Sequence, residues 1–128
     1  MKIEHVAFWT ADLVSLRDFY VHYFNAVAGE KYVNPKTCFE SYFLSFEEGA
    51  RLELMTKPGV TPTDTTNSIA TGYAHIAISV GSKDNVDSLT KKLRVDGHLI
   101  VSEPRTTGDG YYESVVLDPA GNHVEITE

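Results

Sequence analysis

An internal repeat constrains the fold of this chain more than any other feature. Each half opens on a strand-like segment with an early histidine, His5 in the first half and His75 in the second. Each half also ends on a short apolar segment that carries a glutamate, Glu53 and then Glu125, at nearly the same spacing from its histidine. A repeat this regular predicts that one supersecondary unit is built twice.

The hydrophobic pattern of each half predicts the same order of elements, β-α-β-β-β. Strands are indicated by alternating or β-rich segments, and helices by apolar residues at a spacing near 3.6. Asp12 is the expected cap of the first helix, whose predicted buried residues are Leu13, Leu16, Tyr20, Tyr23 and Phe24. Glu40–Ser45 of the first half aligns with Glu113–Asp118 of the second. The predicted fold class is therefore α+β, with two β-α-β-β-β modules. The predicted strands are 3–10, 31–33, 40–46, 51–55, 73–80, 98–102, 110–117 and 122–127, and the helices are 12–26 and 84–96.

Length and composition suit one globular domain. The chain has 128 residues, of which 42% are hydrophobic. Because a unit of roughly 60 residues buries little core on its own, we expect the halves to share one domain. It would comprise module one at 1–55, a Thr-, Pro- and Gly-rich linker at 56–72 and module two at 73–128.

The charge of the chain and its cysteine content indicate which binding partners and which cellular compartment to expect. The net charge is −7 and no run of lysine or arginine is present, which argues against nucleic-acid partners and anionic membrane surfaces. No apolar run approaches the roughly 20 residues that span a bilayer, and the N-terminal segment lacks the apolar region of a signal peptide. The single cysteine excludes an intrachain disulfide, so we expect a cytoplasmic protein.

Strand parity places the four repeated ionisable residues on one type of face. Side chains alternate across a strand, so His5, Glu53, His75 and Glu125 each lie opposite an apolar face. A lone strand histidine or glutamate is usually a surface residue, but four in register across a repeat favour a metal site. Two carboxylates neutralise one divalent cation. Mixed nitrogen and oxygen ligands suit nickel, zinc, cobalt, manganese or iron, and the ligands alone do not choose among them.

The chain resembles the vicinal oxygen chelate superfamily, which includes glyoxalase I, bleomycin-resistance proteins and extradiol dioxygenases, and it is most similar to glyoxalase I-like proteins. The motifs that carry the resemblance are Gly72–Ala77 and Leu117–Glu125. The resemblance implies an open, cup-shaped mixed sheet with helices on the convex side, around one divalent metal, often in a homodimer. It also implies that His5, Glu53, His75 and Glu125 take the positions of the bacterial glyoxalase I ligands.

The same resemblance implies a reaction. It is that of a metal-dependent lyase or isomerase, in which a small substrate with two neighbouring oxygens passes through an enediolate-type intermediate. Glu53 or Glu125 would move a proton between adjacent carbons as general base and then acid. Bacterial glyoxalase I carries an arginine that grips glutathione shortly after its first ligand, whereas the corresponding stretch here is Ala7–Thr10, and the segment 55–59 lacks the expected asparagine. Use of glutathione or another thiol therefore stays open.

Two other functions compete with the lyase or isomerase. One is a small-molecule binding protein of the antibiotic-resistance type that works without metal catalysis. Its candidate contacts are aromatic side chains: Phe8, Trp9, Tyr42, Tyr111 and Tyr112. The other is oxidative ring cleavage, which is weaker because it needs only three protein ligands and an open coordination position. The roles of Arg51, Arg105 and His123, which lie beside the candidate sites in sequence, stay open.

Overall fold

The computed structural model of the chain describes residues 1–62 and 71–128. It divides into two compact units, Met1–Asp64 and Thr65–Glu128. Of the predicted linker at 56–72, residues 63–70 lie outside the described residues.

The first unit contains one helix and five strands. Its predicted elements are all present, and one short strand, β2, was not predicted. In chain order they are β1 His5–Trp9, α1 Leu13–Phe24, β2 Val27–Ala28, β3 Tyr32–Asn34, β4 Phe39–Ser45 and β5 Arg51–Thr56.

The second unit contains one helix and four strands, in the predicted order. They are β6 His75–Ser79, α2 Lys83–Val95, β7 Ile100–Thr106, β8 Tyr112–Leu117 and β9 His123–Thr127. The structure thus confirms the α+β class and the repeated β-α-β-β-β module. No helix within the described residues is long and apolar enough to cross a membrane.

The two sheets share a topology. The first has the order β1-β5-β4-β2, with β3 also paired to β4, and the second has the order β6-β9-β8-β7. In each sheet the first and last strands of the unit pair in parallel, and the remaining pairs are antiparallel. This parallel pair brings the early histidine and the late glutamate of each half onto neighbouring strands.

The outer strand is the place where the two units differ most. In the second unit β7 is one strand with two register irregularities. In the first unit two short strands lie at this outer position: β2 pairs with Leu44 and Ser45 of β4, and β3 pairs with residues 39–41 of β4.

Each helix packs against the apolar face of its own sheet. Leu16 and Tyr20 of α1 and Leu54 of β5 are fully buried, as are Val86 and Leu93 of α2. Asp12 caps α1 as predicted, and Ser82, which was not predicted as a cap, caps α2; each side-chain oxygen accepts a hydrogen bond from a backbone N–H group. The opposite face of each sheet, which carries the ionisable residues, is consequently left free of its helix.

A buried hydroxyl pair links α2 to its sheet. Thr90 and Ser114 are 1% and 0% exposed, and their hydroxyl oxygens lie 2.6 Å apart. We expect Thr90→Val to lower the free energy of unfolding by about 1–3 kcal/mol, because the Ser114 hydroxyl then stays buried without this partner. Chemical denaturation of the single variant and of Thr90→Val/Ser114→Ala measures this. The double variant should be the more stable of the two, and equal stability would contradict the prediction.

Candidate metal centre

In the first unit, β1 and β5 place His5 and Glu53 side by side. The register pairs His5 with Arg51 and Ala7 with Glu53, so both candidate ligands point to the same face of the sheet. The His5 Nε2 atom lies 3.7 Å from the Glu53 Oε2 atom. The Glu53 side chain is 17% exposed, so it is largely withdrawn from water yet reachable.

Glu4 orients the imidazole of His5. Its carboxylate can only accept, so the short contact with His5 Nδ1 puts the ring proton on Nδ1 and leaves the Nε2 lone pair facing Glu53. The same carboxylate accepts a hydrogen bond from Arg51 Nε at 2.8 Å. Hydrogen bonds from His5 and Arg51 hold the pKa of Glu4 below its usual range. Sequence reasoning missed Glu4, although its place beside a candidate histidine was a usable signal.

In the second unit, β6 and β9 repeat this arrangement. The register pairs His75 with His123 and Ala77 with Glu125, and the His75 Nε2 atom lies 3.5 Å from the Glu125 Oε2 atom. Burial, followed by the negative charge of neighbouring Glu113, raises the pKa of Glu125. His123 shares this face of the sheet, as its parity predicted.

Glu113 gives the second unit a charge that the first unit lacks. It is 12% exposed, and the Arg105 guanidinium nitrogen Nη1 lies 3.2 Å from its carboxylate. In the register, Glu113 pairs with Thr127, two residues beyond Glu125. The residue that pairs with Met55, two residues beyond Glu53, is Ser41.

The sequence alignment of Glu40 with Glu113 is therefore wrong by one residue. Glu40 pairs with Thr56 and its carboxylate lies 2.5 Å from Lys31 Nζ, on the other face of β4 from Ser41. The position that Glu113 occupies in the second unit is taken by Ser41 in the first unit, so the two halves of the repeat are chemically unequal at this point.

The separation within each histidine–glutamate pair is close to that of two ligands of one cation. Separations of 3.5 and 3.7 Å exceed the 2.7–3.2 Å of a good N–H···O bond. Two donor atoms that each lie about 2.0–2.2 Å from a metal, at angles near 90–110°, are roughly 2.8–3.6 Å apart. The 3.5 Å separation of His75 and Glu125 lies within this range, and the 3.7 Å separation of His5 and Glu53 lies just above it. The donor set, neutral imidazole nitrogen with carboxylate oxygen, also suits a first-row transition metal.

Each pair supplies two ligands, which is fewer than a stable centre requires. Within residues 1–62 and 71–128, no group of three or more His, Cys, Asp or Glu side chains is arranged to hold a metal ion. The structure brings His5 to Glu53 and His75 to Glu125. That one ion joins the two pairs stays a prediction.

The aromatic residues that the sequence offered as ligand contacts differ in how accessible they are. Tyr42 is 9% exposed, and both its ring and its hydroxyl contact the Arg17 guanidinium. Little of its surface is therefore accessible to a ligand. Tyr112 donates to Asp87 at 2.8 Å. Trp9 and Tyr111 are 47% and 59% exposed, so these two aromatic side chains are accessible to a ligand, and Phe8 is partly exposed.

The chain belongs to the glyoxalase/bleomycin resistance protein/dioxygenase superfamily, whose sequence pattern it matches over residues 2–126. No match was found among curated protein sequences.

Solved structures of glyoxalases share the fold. Maize glyoxalase I has a TM-score of 0.81 at 25% identity; the match covers 98% of this chain but only 44% of the maize chain. The trypanothione-dependent glyoxalase I of Leishmania major has a TM-score of 0.78 at 24% identity, with 100% and 86% of the two chains covered. Lactoylglutathione lyase of Agrobacterium tumefaciens has a TM-score of 0.70 at 24% identity, with 98% and 92% covered.

Proposed function

We propose that this protein is a divalent-metal-dependent lyase or isomerase that acts on a small substrate with two neighbouring oxygens. The observation that carries the proposal is the repeated histidine–glutamate pair, which faces a water-accessible sheet surface in both units at 3.7 and 3.5 Å, close to the separation of two ligands of one cation. Membership of the superfamily and the likeness to glyoxalase I structures support it.

In this proposal His5, Glu53, His75 and Glu125 hold one metal ion in a single cup-shaped domain of a cytoplasmic homodimer. The ion would be nickel, zinc, cobalt, manganese or iron, and when bound it supplies Lewis-acid stabilisation of an oxyanion. Glu4 keeps the Nε2 lone pair of His5 free for ligation. Arg51 is engaged with Glu4, so its guanidinium serves the histidine more than a substrate.

The carboxylates perform the proton chemistry. A carbon next to a carbonyl loses its proton to Glu53 or Glu125, which leaves an enediolate-type anion on the substrate, and the same carboxyl group returns the proton to the adjacent carbon. This step needs no redox partner and conserves the atoms of the substrate.

Metal content and proton exchange test the proposal together. Protein purified without chelator or a nickel column should contain about one transition metal per chain by plasma mass spectrometry. In deuterium oxide it should exchange the carbon-bound proton of at least one compound in a panel of ketoaldehyde–thiol adducts and 2-hydroxy or 2-keto acids, and a chelator should stop the exchange. Compound binding that a chelator leaves unchanged, with no exchange and no metal uptake, would instead support the metal-free binding protein.

The Glu113 carboxylate is expected to strengthen the proposed metal site. Glu113→Gln removes a negative charge beside Glu125 and frees the Arg105 guanidinium, and both changes disfavour a cation. We expect metal affinity to fall about tenfold, as for other residues that contact a ligand, measured by competition with a chromophoric chelator. Glu103→Gln is the matched control, since Glu103 also pairs with an arginine, Arg94. Unchanged affinity in Glu113→Gln would contradict the expectation.

A further inference from the structure

An open cavity of about 290 Å³ lies within the first unit. It is lined by Trp9, Lys57, Val60 and Thr61. The lining thus combines an aromatic ring, an ammonium group, an aliphatic side chain and a hydroxyl. None of these residues belongs to the histidine–glutamate pair of the same unit.

Trp9 presents its ring to this cavity on the same face as the candidate ligands. It pairs in register with Met55, two residues along the strand from the Ala7–Glu53 pair, which places it about 7 Å farther along the sheet. Trp9 is 47% exposed, although its ring lies nearly perpendicular to that of Phe39, with ring centroids 6.2 Å apart. A large exposed indole beside a cavity is suited to stacking with a planar ligand.

Lys57 supplies a positive charge at the same place. Its Nζ atom lies 4.8 Å from the centroid of the Trp9 ring. Within residues 1–62 and 71–128 no carboxylate lies within ion-pairing distance of this ammonium. By contrast, Lys83, which lies over Tyr112 in the second unit, has Glu128 at 3.9 Å. In a chain with a net charge of −7, a lysine that lies over an exposed ring and has no carboxylate partner among the described residues is suited to an anionic ligand.

We propose that this cavity binds a planar group that carries a negative charge, with an aromatic carboxylate as the simplest case. The ring packs on Trp9 and Val60, the carboxylate pairs with Lys57, and the Thr61 hydroxyl donates a hydrogen bond. Because Trp9 lies only about 7 Å along the sheet from the Ala7–Glu53 pair, one small molecule can reach both this cavity and Glu53. That last step rests on the proposed function: the cavity then holds the non-reacting end of a substrate whose two oxygens lie at the metal.

Trp9 is the only tryptophan of the chain, so its fluorescence reports directly on the cavity. Metal-stripped protein is titrated with benzoate, with benzyl alcohol as a neutral planar analogue, with cyclohexanecarboxylate as a non-planar anion and with glutathione. We expect benzoate to bind at least about fivefold more tightly than each of the other three. Equal affinity for benzoate and benzyl alcohol would overturn the role of the charge, and equal affinity for cyclohexanecarboxylate would overturn the role of the planar ring.

Lysine variants separate charge from packing. Lys57→Met should weaken benzoate binding about fivefold and remove the preference over benzyl alcohol, whereas Lys57→Arg should keep both. Lys83→Met is the matched control and should bind benzoate as the native protein does. Wild-type affinity in Lys57→Met with unchanged thermal unfolding would overturn the proposal. Because these titrations use metal-free protein, loss of benzoate binding and loss of metal binding are separate failures.

Discussion

The Glu53→Gln/Glu125→Gln double variant is expected to lose about 100-fold or more in metal affinity and to be purified without metal. Each substitution keeps the size of the side chain but replaces an anionic ligand with a neutral amide, which is a poor donor to a divalent ion. Both glutamates are largely shielded from water, with 17% of each side chain exposed, so the lost attraction is only partly screened. Plasma mass spectrometry and a zinc titration measure the effect.

The control for this experiment changes the net charge equally. Glu47 and Glu48 lie exposed in the turn between β4 and β5, so Glu47→Gln/Glu48→Gln should retain about one metal per chain. Native-like affinity in the Glu53/Glu125 double variant would leave the two histidine–glutamate pairs as ordinary weak ion pairs of the surface.

The sequence predicted the fold well because the repeat carries the same information twice. Strand alternation assigned His5 and Glu53 to one face before the parallel pairing of β1 with β5 was known. The structure confirms that assignment, since Leu52 and Leu54 are buried and the two ionisable residues are not. A period of two is sufficient for this result wherever one face of a strand is apolar.

The same period explains the error at Glu113. A shift of one residue moves a side chain to the opposite face, and matching the letters Glu40-Ser41 to Glu113-Ser114 introduced that shift. The structure sets the register through backbone pairing, in which Ser41 and Glu113 occupy equivalent places. No local pattern could have distinguished the two alignments, because both segments are rich in strand-forming residues throughout.

The buried face of α1 was predicted less accurately than the strand faces. Spacing predicted Leu13, Leu16, Tyr20, Tyr23 and Phe24 as its buried residues, and the structure buries Phe19 in place of Tyr23. Both aromatics lie near the edge of the stripe and contact each other, with ring centroids 5.3 Å apart. The choice between them depends on the sheet beneath the helix, and the ring with no hydroxyl is the one that becomes buried.

The distances within the two histidine–glutamate pairs could not be predicted from the sequence either. Equivalent positions in a repeat indicated four candidates, whereas the distances of 3.5 and 3.7 Å depend on the parallel strand register and on rotamers. The contact that fixes the His5 ring involves Glu4, the adjacent residue, and Arg51, a residue of another strand. The Arg51 contact joins two strands that are distant in sequence, so only the structure could reveal it.

Single substitutions are expected to reveal which carboxylate moves the proton. A general acid–base residue contributes about 100- to 10,000-fold to turnover, so Glu53→Gln or Glu125→Gln at the working residue should lower kcat by at least about 100-fold. The amide cannot accept a carbon-bound proton, and this defect persists at saturating metal. The assay is deuterium exchange into a panel compound that the native protein turns over, with thermal unfolding as the check on folding.

The comparison of the two single variants decides the assignment. A variant that binds metal more weakly but regains native kcat when metal is added has lost a ligand and not the base. The variant whose kcat stays low with metal bound identifies the proton-transfer residue. A folded Glu53→Gln or Glu125→Gln protein with full activity at native metal levels would remove that glutamate from the mechanism, and full activity in both would refute carboxylate-mediated proton transfer at this site.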